Sequence, residues 1–255
     1  MEVGMTHLKI PAQVLTGLII LALLPSQTWA RPPVDHGIFG RLLKSHVQNG
    51  WVDYRGFKKD ERQLDAYLDQ MAQIDPQTLG RNEQMAFYIN AYNAWTIKLI
   101  LENYPGVASI KDLGSFFRSP WKKKFVKING ETVTLDHLEH DILRPVFKDP
   151  RVHFAVNCAS KSCPPLLNEP YSGAALDGQL ETAALAFIND PQSNYLKGDT
   201  LYVSRIFKWF GEDFGNDIRK FVQSYARGEF AGRLERQGDG LKIRYLDYDW
   251  SLNGK

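Results

Sequence analysis

One segment, residues 83–103, constrains the fold more than any other, because its sequence is apolar on almost every side. Asn82 can cap a helix there, and the Tyr-Pro-Gly at residues 104–106 ends it. A helix that is apolar all round is usually buried inside a domain. Asn90 and Asn93 would then be buried amides, and an unsatisfied buried amide costs about 1–3 kcal/mol. We therefore expect both side chains either to bind neighbouring backbone or to line a polar cavity.

Helices and strands are interleaved irregularly along the rest of the chain. Asn129 and Gly130 suit the two central positions of a type I′ turn, so residues 124–135 are predicted to form a β-hairpin. Further helices are predicted at residues 59–71, 135–147, 176–188 and 214–225, and further strands at 152–156, 199–204 and 241–250. Because no βαβ unit repeats, the predicted class is α+β: a single domain of mixed helices around a small antiparallel sheet.

The helix after the hairpin carries a cluster of chemically active side chains. Projected at 100° per residue, its apolar stripe consists of Leu135, Leu138, Ile142 and Val146. Glu139 falls inside this stripe, and a carboxylate there must be paired, hydrogen-bonded or protonated. His137, His140 and Arg144 lie on the other side of the helix, with His140 and Arg144 one turn apart.

Both cysteines of the chain lie in the stretch V-H-F-A-V-N-C-A-S-K-S-C-P-P, residues 152–165. Its alternation predicts a strand that ends at Cys158, and the turn-rich residues around Cys163 then break regular structure. His153 would lie on the strand face opposite Cys158. Loops that follow strand ends commonly carry reactive groups. The stretch therefore predicts a site, in which a structural disulfide and free or redox-active thiols are both open.

Residues 1–30 are predicted to be a signal peptide. An apolar run at residues 14–24 follows Lys9, and Thr28 and Ala30 supply the small residues of a cleavage site. The run is too short for the roughly 20 residues that span a bilayer. A mature protein without a transmembrane segment is therefore expected in the periplasm or secreted. The formal net charge of +2 offers no argument for nucleic-acid binding.

Five ordered motifs resemble a known family. They are I-N-A-Y-N-A at 89–94, L-E-H-D-I-L-R-P at 138–145, H-F-A-V-N-C-A-S-K-S-C-P-P at 153–165, S-R-I-F-K-W-F-x-x-D-F at 204–214 and Y-D-W-S-L-N at 248–253. Together they resemble the DUF547 family, a domain of unknown function, in an exported bacterial type. The resemblance covers about residues 54–253, with residues 31–53 as an N-terminal lead-in.

The resemblance implies no established activity, but it aligns particular residues. Glu139, His140 and Arg144 match the family's I-E-H-G-I-L-R helix, in which this chain has Asp instead of Gly at position 141. Cys158 and Cys163 match its L-x-C-x-x-x-S-C-P element.

The sharpest functional hypothesis is a thiol nucleophile at Cys158. Such chemistry needs a thiolate, an imidazole base and a group that orients the imidazole. We assign the base to His140, with His153 as an alternative, and the orienting role to Asn90 or Glu139. Asn90 is preferred, because Glu139 directly precedes His140 and adjacent helical side chains point about 100° apart, so Glu139 cannot easily orient the His140 ring. The arrangement is similar in kind to papain and transglutaminase, and predicts a hydrolase or acyl transferase for peptide, amide or ester bonds.

Two other interpretations stay open. The soft ligands His137, His140, His153, Cys158 and Cys163 would suffice for zinc, but their spacing matches no standard zinc signature, so neither a metal nor another cofactor is predicted. Alternatively, the chain is a non-catalytic exported binding or scaffold domain. In that case Cys158 and Cys163 form a disulfide, and the polar residues of the helices form structural hydrogen bonds in the core. The substrate or protein partner is not identified by the sequence.

Overall fold

The computed structural model describes residues 1, 2, 4, 34–115 and 119–255. The chain divides into two units, Met1–Arg31 and Pro32–Lys255, and the helices and strands of the described residues lie in the second. The predicted signal peptide lies outside the described residues, except for residues 1, 2 and 4.

Helices dominate the second unit. The α-helices are α1 Gly37–His46, α2 Tyr54–Lys59, α3 Glu61–Ala72, α4 Arg81–Leu101, α5 Leu176–Ile188, α6 Ile206–Trp209, α7 Ile218–Tyr225 and α8 Gly228–Gln237. A π-helix spans His137–Phe147, and short 3-10 helices span Pro76–Thr78, Ile110–Leu113, Pro120–Lys122, Pro150–Phe154 and Gly238–Gly240. The strands are β1 Val47–Gln48, β2 Trp51–Val52, β3 Val126–Ile128, β4 Glu131–Val133, β5 Asn194–Lys197, β6 Thr200–Val203 and β7 Lys242–Tyr245. About 52% of the structure is helical, with sheets of two or three strands, which confirms the α+β class.

Helix α4 lies at the centre of the domain, as its apolar sequence predicts. It is buried along nearly its whole length and contacts α2, α3, α5 and the π-helix. Each large apolar side chain buried in this way contributes about 1.5–3 kcal/mol. No helix in the described part of the chain is both long enough and apolar enough to cross a membrane.

The sheets are small and separate. Asn129 and Gly130 have φ values of 49° and 77°, as a type I′ turn requires, and they join β3 to β4 in the predicted hairpin. β1 and β2 form a second hairpin. In the third sheet β5 pairs antiparallel with β6, whereas β7 pairs parallel with β6 after the chain has passed through α6, α7 and α8. The described residues thus form three small sheets instead of one antiparallel sheet.

Most of the predicted lead-in packs into the same core as α4. Phe39, Leu42 and Leu43 of α1 are buried against α3 and its neighbours. β2 also pairs with the end of the chain, where a Cβ on Gly254 would overlap the carbonyl oxygen of Val52. The domain boundary predicted at residue 54 therefore falls between elements that share one core.

Two predicted elements are shorter than expected near the C-terminus. The helix predicted at 214–225 begins at Ile218, because the Asp217 side chain caps it by accepting from the Lys220 N–H at 3.0 Å. The strand predicted at 241–250 is regular only in β7. The residues that follow β7 instead bond to the cysteine loop, where Lys161 N–H donates to the Ser251 carbonyl at 2.9 Å.

Candidate functional site

The segment before the cysteines is the 3-10 helix Pro150–Phe154, so the strand predicted there is wrong. Asp149 caps this helix by accepting from Arg151 N–H at 3.0 Å, and Pro150 occupies a first-turn position where its missing N–H costs nothing. The alternation was misleading because both sets of alternating residues are buried, including His153 at 3% exposure. His153 is therefore not on the outer face of a strand, and Cys158 follows a helical turn.

The cysteine segment is attached to α4 through Asn93. The Asn93 Oδ1 atom accepts the N–H of Asn157 at 2.8 Å, and its Nδ2 donates to the carbonyl of Ala155 at 2.9 Å. Asn93 is buried, and both ends of its amide are paired. The side chain thus binds backbone on either side of position 156, which holds the approach to Cys158 in place.

Asn157 extends this attachment around the cysteine loop. Its Nδ2 donates to the carbonyl of Pro164 at 2.8 Å, so one side chain joins the two ends of the loop. Its Oδ1 accepts the N–H of Ala159, whose φ of 61° lies in the left-handed region, and also the Nδ2 of Asn253. The loop that carries Cys158 is therefore held by buried amides from α4, from the loop itself and from the C-terminal motif.

Asn90 has a different position from the one proposed for it. It donates from Nδ2 to the carbonyl of Tyr171 at 2.7 Å, and its Oδ1 accepts the Tyr171 N–H at 2.9 Å. Its Nδ2 also lies 3.2 Å from His36 Nε2. Asn90 joins α4 to the segment around Tyr171, and among the described residues its hydrogen bonds go to Tyr171 and His36, not to the residues around Cys158.

The two cysteines are free thiols that contact each other. The Cys158 N–H donates to Cys163 Sγ at 2.9 Å, and Cys163 Sγ lies 3.8 Å from the carbonyl oxygen of Val156. Two hydroxyls complete the surroundings of the Cys158 sulfur: Ser160 Oγ at 3.1 Å and Tyr248 OH at 3.3 Å. The disulfide of the alternative interpretation is thus not formed in this structure, although its two sulfurs are adjacent.

The contacts of the two thiols affect their pKa values in opposite directions. The hydrogen bond from Cys163 lowers the pKa of Cys158, the Ser160 and Tyr248 hydroxyls lower it further, and burial opposes them. Burial raises the pKa of Cys163 well above its usual range. Cys158 is therefore the thiol that ionises, and Cys163 keeps its proton and donates it.

A cavity of about 220 Å³ opens beside Cys158. Five of the residues proposed from sequence line it together: Cys158, Cys163, Glu139, His140 and His153. Its apolar wall consists of Tyr92, Trp121, Trp209, Phe210, Tyr248 and Trp250. The rings around Trp250 are packed closely, with its centroid 4.5 Å from that of Tyr248 and 5.6 Å from that of Trp209. An aromatic wall beside a reactive thiol is typical of a site for a small apolar group.

Glu139 is buried, as the projection predicted, and burial and then the nearby Glu139 charge raise the pKa of Tyr92 well above its usual range. Leu135 and Leu138 of the projected stripe are also buried, but Ile142 is half-buried and Val146 is exposed, because the helix is a π-helix with i→i+5 bonds. This looser winding buries Leu143 and Phe147 in place of Ile142 and Val146, and Val146 is 48% exposed. The same winding places Glu139 and its neighbour His140 in the cavity together.

His140 is oriented by Arg144, and not by Asn90 or Glu139 as proposed. A guanidinium can only donate, so Nη1 of Arg144, 3.0 Å away, donates to Nδ1 of His140. The proton of His140 is therefore on Nε2, which lies 3.7 Å from Oδ1 of Asp136. Arg144 itself lines a neighbouring cavity, which His140 also borders.

His153 forms a dyad with Asp213, a residue that sequence reasoning did not select. His153 Nε2 lies 2.7 Å from Oδ2 of Asp213, and Arg144 Nε donates to the same oxygen at 2.6 Å. The bonds from His153 and then Arg144 hold the pKa of Asp213 far below its usual range. The ring of His153 stacks on Phe210 with centroids 4.1 Å apart.

Asp213 and Tyr248 both lie in motifs that carried the family resemblance, which is the only sequence signal for them. In the part of the chain that the structure describes, no hydrogen bond joins either cavity histidine to the Cys158 sulfur, whose partners are thiol and hydroxyl groups. No group of three or more His, Cys, Asp or Glu side chains among the described residues is arranged to hold a metal ion.

The fold and the cavity define an α+β domain with a dithiol at an aromatic pocket. Residues 76–188 match the sequence model of the family described as "Protein of unknown function, DUF547", which supports the resemblance found in the motifs. The matched range includes α4, the π-helix and both cysteines, whereas Asp213 and Tyr248 lie beyond it. No curated protein and no solved structure matches the chain. The chain is thus DUF547-like, and the family description assigns no activity.

Proposed function

We propose that this protein is an exported thiol-dependent hydrolase or acyl transferase that acts on peptide, amide or ester bonds, with Cys158 as its nucleophile. The observation that carries this proposal is the position of the Cys158 sulfur, which lies at an aromatic cavity within hydrogen-bond distance of two hydroxyls and a second thiol. The thiolate is the nucleophilic form of cysteine, and such donors stabilise it.

The first step is attack of the Cys158 sulfur on a substrate carbonyl carbon. A C–S bond forms and the carbonyl π pair moves onto oxygen, where a hydrogen-bond donor stabilises the developing charge. Tyr248 is suited to this role, because burial raises the pKa of its hydroxyl well above the ordinary value and it keeps its proton. When the carbonyl re-forms, the C–N or C–O bond breaks and leaves a thioester on Cys158.

The two cavity histidines hold their protons in complementary positions. His140 accepts from Arg144 at Nδ1 and carries its proton on Nε2, so it can donate a hydrogen bond to the leaving group, which takes up the proton that the Cys158 thiol released. His153 donates from Nε2 to Asp213, which leaves Nδ1 as its basic nitrogen. We assign to His153 the removal of a proton from the water or second nucleophile that cleaves the thioester. Catalytic hydrogen bonds often tighten only when substrate is bound.

The chemistry is similar in kind to that of papain and transglutaminase, which pair a cysteine with an oriented imidazole. A carboxylate on the far nitrogen of an imidazole holds its tautomer and orientation, and Asp213 has that relation to His153. His153 therefore fits the base role better than His140, which the sequence had favoured.

The aromatic wall supports an apolar or aromatic acyl group as the part of the substrate nearest to Cys158. Trp121, Trp209 and Trp250 present large apolar surfaces beside the sulfur, and each such ring gains free energy by burial against an apolar group. Asp136 and Glu139 are acidic side chains on the same cavity, and their negative charge would repel an anionic substrate.

Export is part of the proposal and depends on residues 1–30. Their apolar run and small-residue cleavage site are features of a signal peptide. N-terminal sequencing of the protein recovered from an expressing bacterium tests this part: a mature N-terminus at Arg31 is expected, and an intact N-terminus in the cytosolic fraction would contradict it.

Acylation by a panel of activated esters and amides, followed by mass spectrometry of the intact protein, tests the enzymatic part. We expect an acyl adduct on Cys158, with faster formation for aromatic than for acidic acyl groups. Cys158→Ser should form no adduct, whereas the matched Cys163→Ser should still form one. If the folded wild-type protein forms no adduct with any member of the panel, a non-catalytic exported binding or scaffold domain becomes the better account.

A further inference from the structure

We infer that Cys158 and Cys163 form a peroxide-reactive dithiol, in which a hydroperoxide oxidises Cys158 and Cys163 resolves the product as a disulfide. This is a redox activity separate from acyl transfer, although it uses the same sulfur. It requires no group beyond the cavity residues and hydrogen peroxide.

The first support is the position of the Cys163 sulfur, which lies next to Cys158. Cys163 Sγ lies 2.9 Å from the backbone nitrogen of Cys158 and 3.8 Å from the carbonyl oxygen of Val156. The Cys163 N–H also donates to the Ser160 carbonyl at 3.1 Å, which closes the turn between the cysteines. The turn thus holds the Cys163 sulfur against the backbone of Cys158, so the two cysteines are close enough in the fold for an S–S bond to be formed between them.

The second support is the set of hydroxyls around Cys158. Ser160 Oγ and Tyr248 OH lie 3.1 Å and 3.3 Å from the sulfur, and they are 3.2 Å from each other. A peroxide that reaches the sulfur therefore meets two donors for its oxygens. Both cysteines are partly exposed and line the cavity of about 220 Å³, which has ample room for hydrogen peroxide and for the water that leaves.

The reaction balances in two steps. In the first, the Cys158 thiolate attacks one oxygen of hydrogen peroxide, so that an S–O bond forms and the O–O bond breaks. The departing hydroxide takes up the proton that the thiol released, relayed through Tyr248, and leaves as water. Cys158 is then a sulfenic acid.

In the second step the Cys163 sulfur attacks the Cys158 sulfur. The S–S bond forms, the S–O bond breaks, and the hydroxyl leaves as water with the proton of Cys163. Overall, two electrons pass from the dithiol to the peroxide, which yields one disulfide and two waters. The pKa difference between the thiols favours this order, because Cys158 ionises first and Cys163 holds its proton.

The consequence is a reversible block of the proposed nucleophile. A disulfide protects Cys158 from oxidation to the sulfinic acid, and a reductant restores it. The free dithiol and the disulfide that the sequence left open would then be the reduced and oxidised forms of one site.

The test treats the reduced full chain with one equivalent of hydrogen peroxide and follows thiol number and intact mass. The wild-type protein is expected to lose both titratable thiols and two hydrogens. Cys163→Ser is expected to stop at a sulfenic acid that dimedone traps. In Cys158→Ser, oxidation of the remaining Cys163 should slow to the rate of an ordinary protonated thiol. Tyr248→Phe should form the disulfide about tenfold more slowly than the wild-type protein, since it lacks one of the hydroxyl donors near the Cys158 sulfur. Circular dichroism checks that each variant is folded.

The inference is overturned if wild type and Cys163→Ser give the same sulfenic or sulfinic product, or if Cys158 reacts no faster than free cysteine. The outcome is independent of the acylation assay, since no acyl substrate is present. Acylation without disulfide formation would overturn only this inference, and disulfide formation without acylation would contradict only the proposed function.

Discussion

The N–H of Asn157 donates to Oδ1 of Asn93 at 2.8 Å, so a side chain on the central helix holds the residue that immediately precedes Cys158. Asn90, one turn earlier on the same helix, binds the backbone of Tyr171 instead. The two buried amides lie on the same helix but have different roles. Asn93 holds the loop that carries Cys158, and Asn90 holds the segment around Tyr171.

This difference predicts distinct effects for Asn93→Ala and Asn90→Ala. Each variant leaves buried backbone groups unpaired, so each should lower the free energy of unfolding by about 2–3 kcal/mol. Only Asn93→Ala should change the rate at which Cys158 reacts with iodoacetamide in the folded protein. Chemical denaturation and thiol labelling measure the two effects. Equal labelling changes in both variants would contradict a specific role for Asn93.

The hydroxyls near Cys158 predict how its ionisation responds to mutation. Because Ser160 and Tyr248 lower the pKa of Cys158, its labelling rate should reach its plateau at a lower pH than that of an ordinary thiol. Tyr248→Phe and Ser160→Ala should each move the midpoint to higher pH, and the double variant should move it further.

The control is Tyr202→Phe, because Tyr202 stacks on Tyr195 in the third sheet. Its labelling midpoint should equal that of the wild type. A midpoint unchanged by Tyr248→Phe would show that this hydroxyl does not stabilise the thiolate.

Asp213→Asn should lower the free energy of unfolding by about 2 kcal/mol at neutral pH, since it weakens charged hydrogen bonds to His153 and Arg144. The folded pKa of Asp213 is lowered, so its stabilisation is complete above the unfolded pKa of about 3.9 and is lost as the pH falls from there through the folded pKa. The difference between wild type and variant should therefore be constant from about pH 7 to 5 and shrink below about pH 4.

Urea denaturation at several pH values measures this difference. Asp199→Asn is the matched control, because Asp199 pairs with Lys242 at the surface and should have little effect at any pH. A wild-type advantage over Asp213→Asn that grows below about pH 4 would contradict the assigned pairing.

Because the helix is a π-helix, we expect alanine substitutions of two apolar residues three positions apart to have very different effects on the free energy of unfolding. Leu143 is fully buried, so Leu143→Ala should cost about 2–5 kcal/mol. Val146 is 48% exposed, so Val146→Ala should change the free energy of unfolding by no more than about 0.5 kcal/mol. Thermal or urea unfolding of the two variants decides between the π-helical register and the 100° projection, which makes Val146 a core residue.

Local sequence patterns correctly predicted those elements that depend only on residues close together in the chain. The apolar sequence of α4 predicted its burial, and Asn129-Gly130 predicted the β3–β4 hairpin, because a turn type depends on the φ values of its own residues. Glu139 was expected on the buried side of its helix, and it is buried. The strand predicted before Cys158 failed because periodicity assumes one solvated face, whereas both faces of this segment are buried.

The sequence by itself therefore determined the α+β class, the buried central helix and the grouping of chemically active residues around Cys158. Only the tertiary structure decided their partners: Arg144 for His140, Asp213 for His153, and Tyr248 for Cys158. Tyr248 is 90 residues from Cys158 along the chain. Such contacts form because separate elements pack into one core, and no local pattern of residues encodes the distance between them.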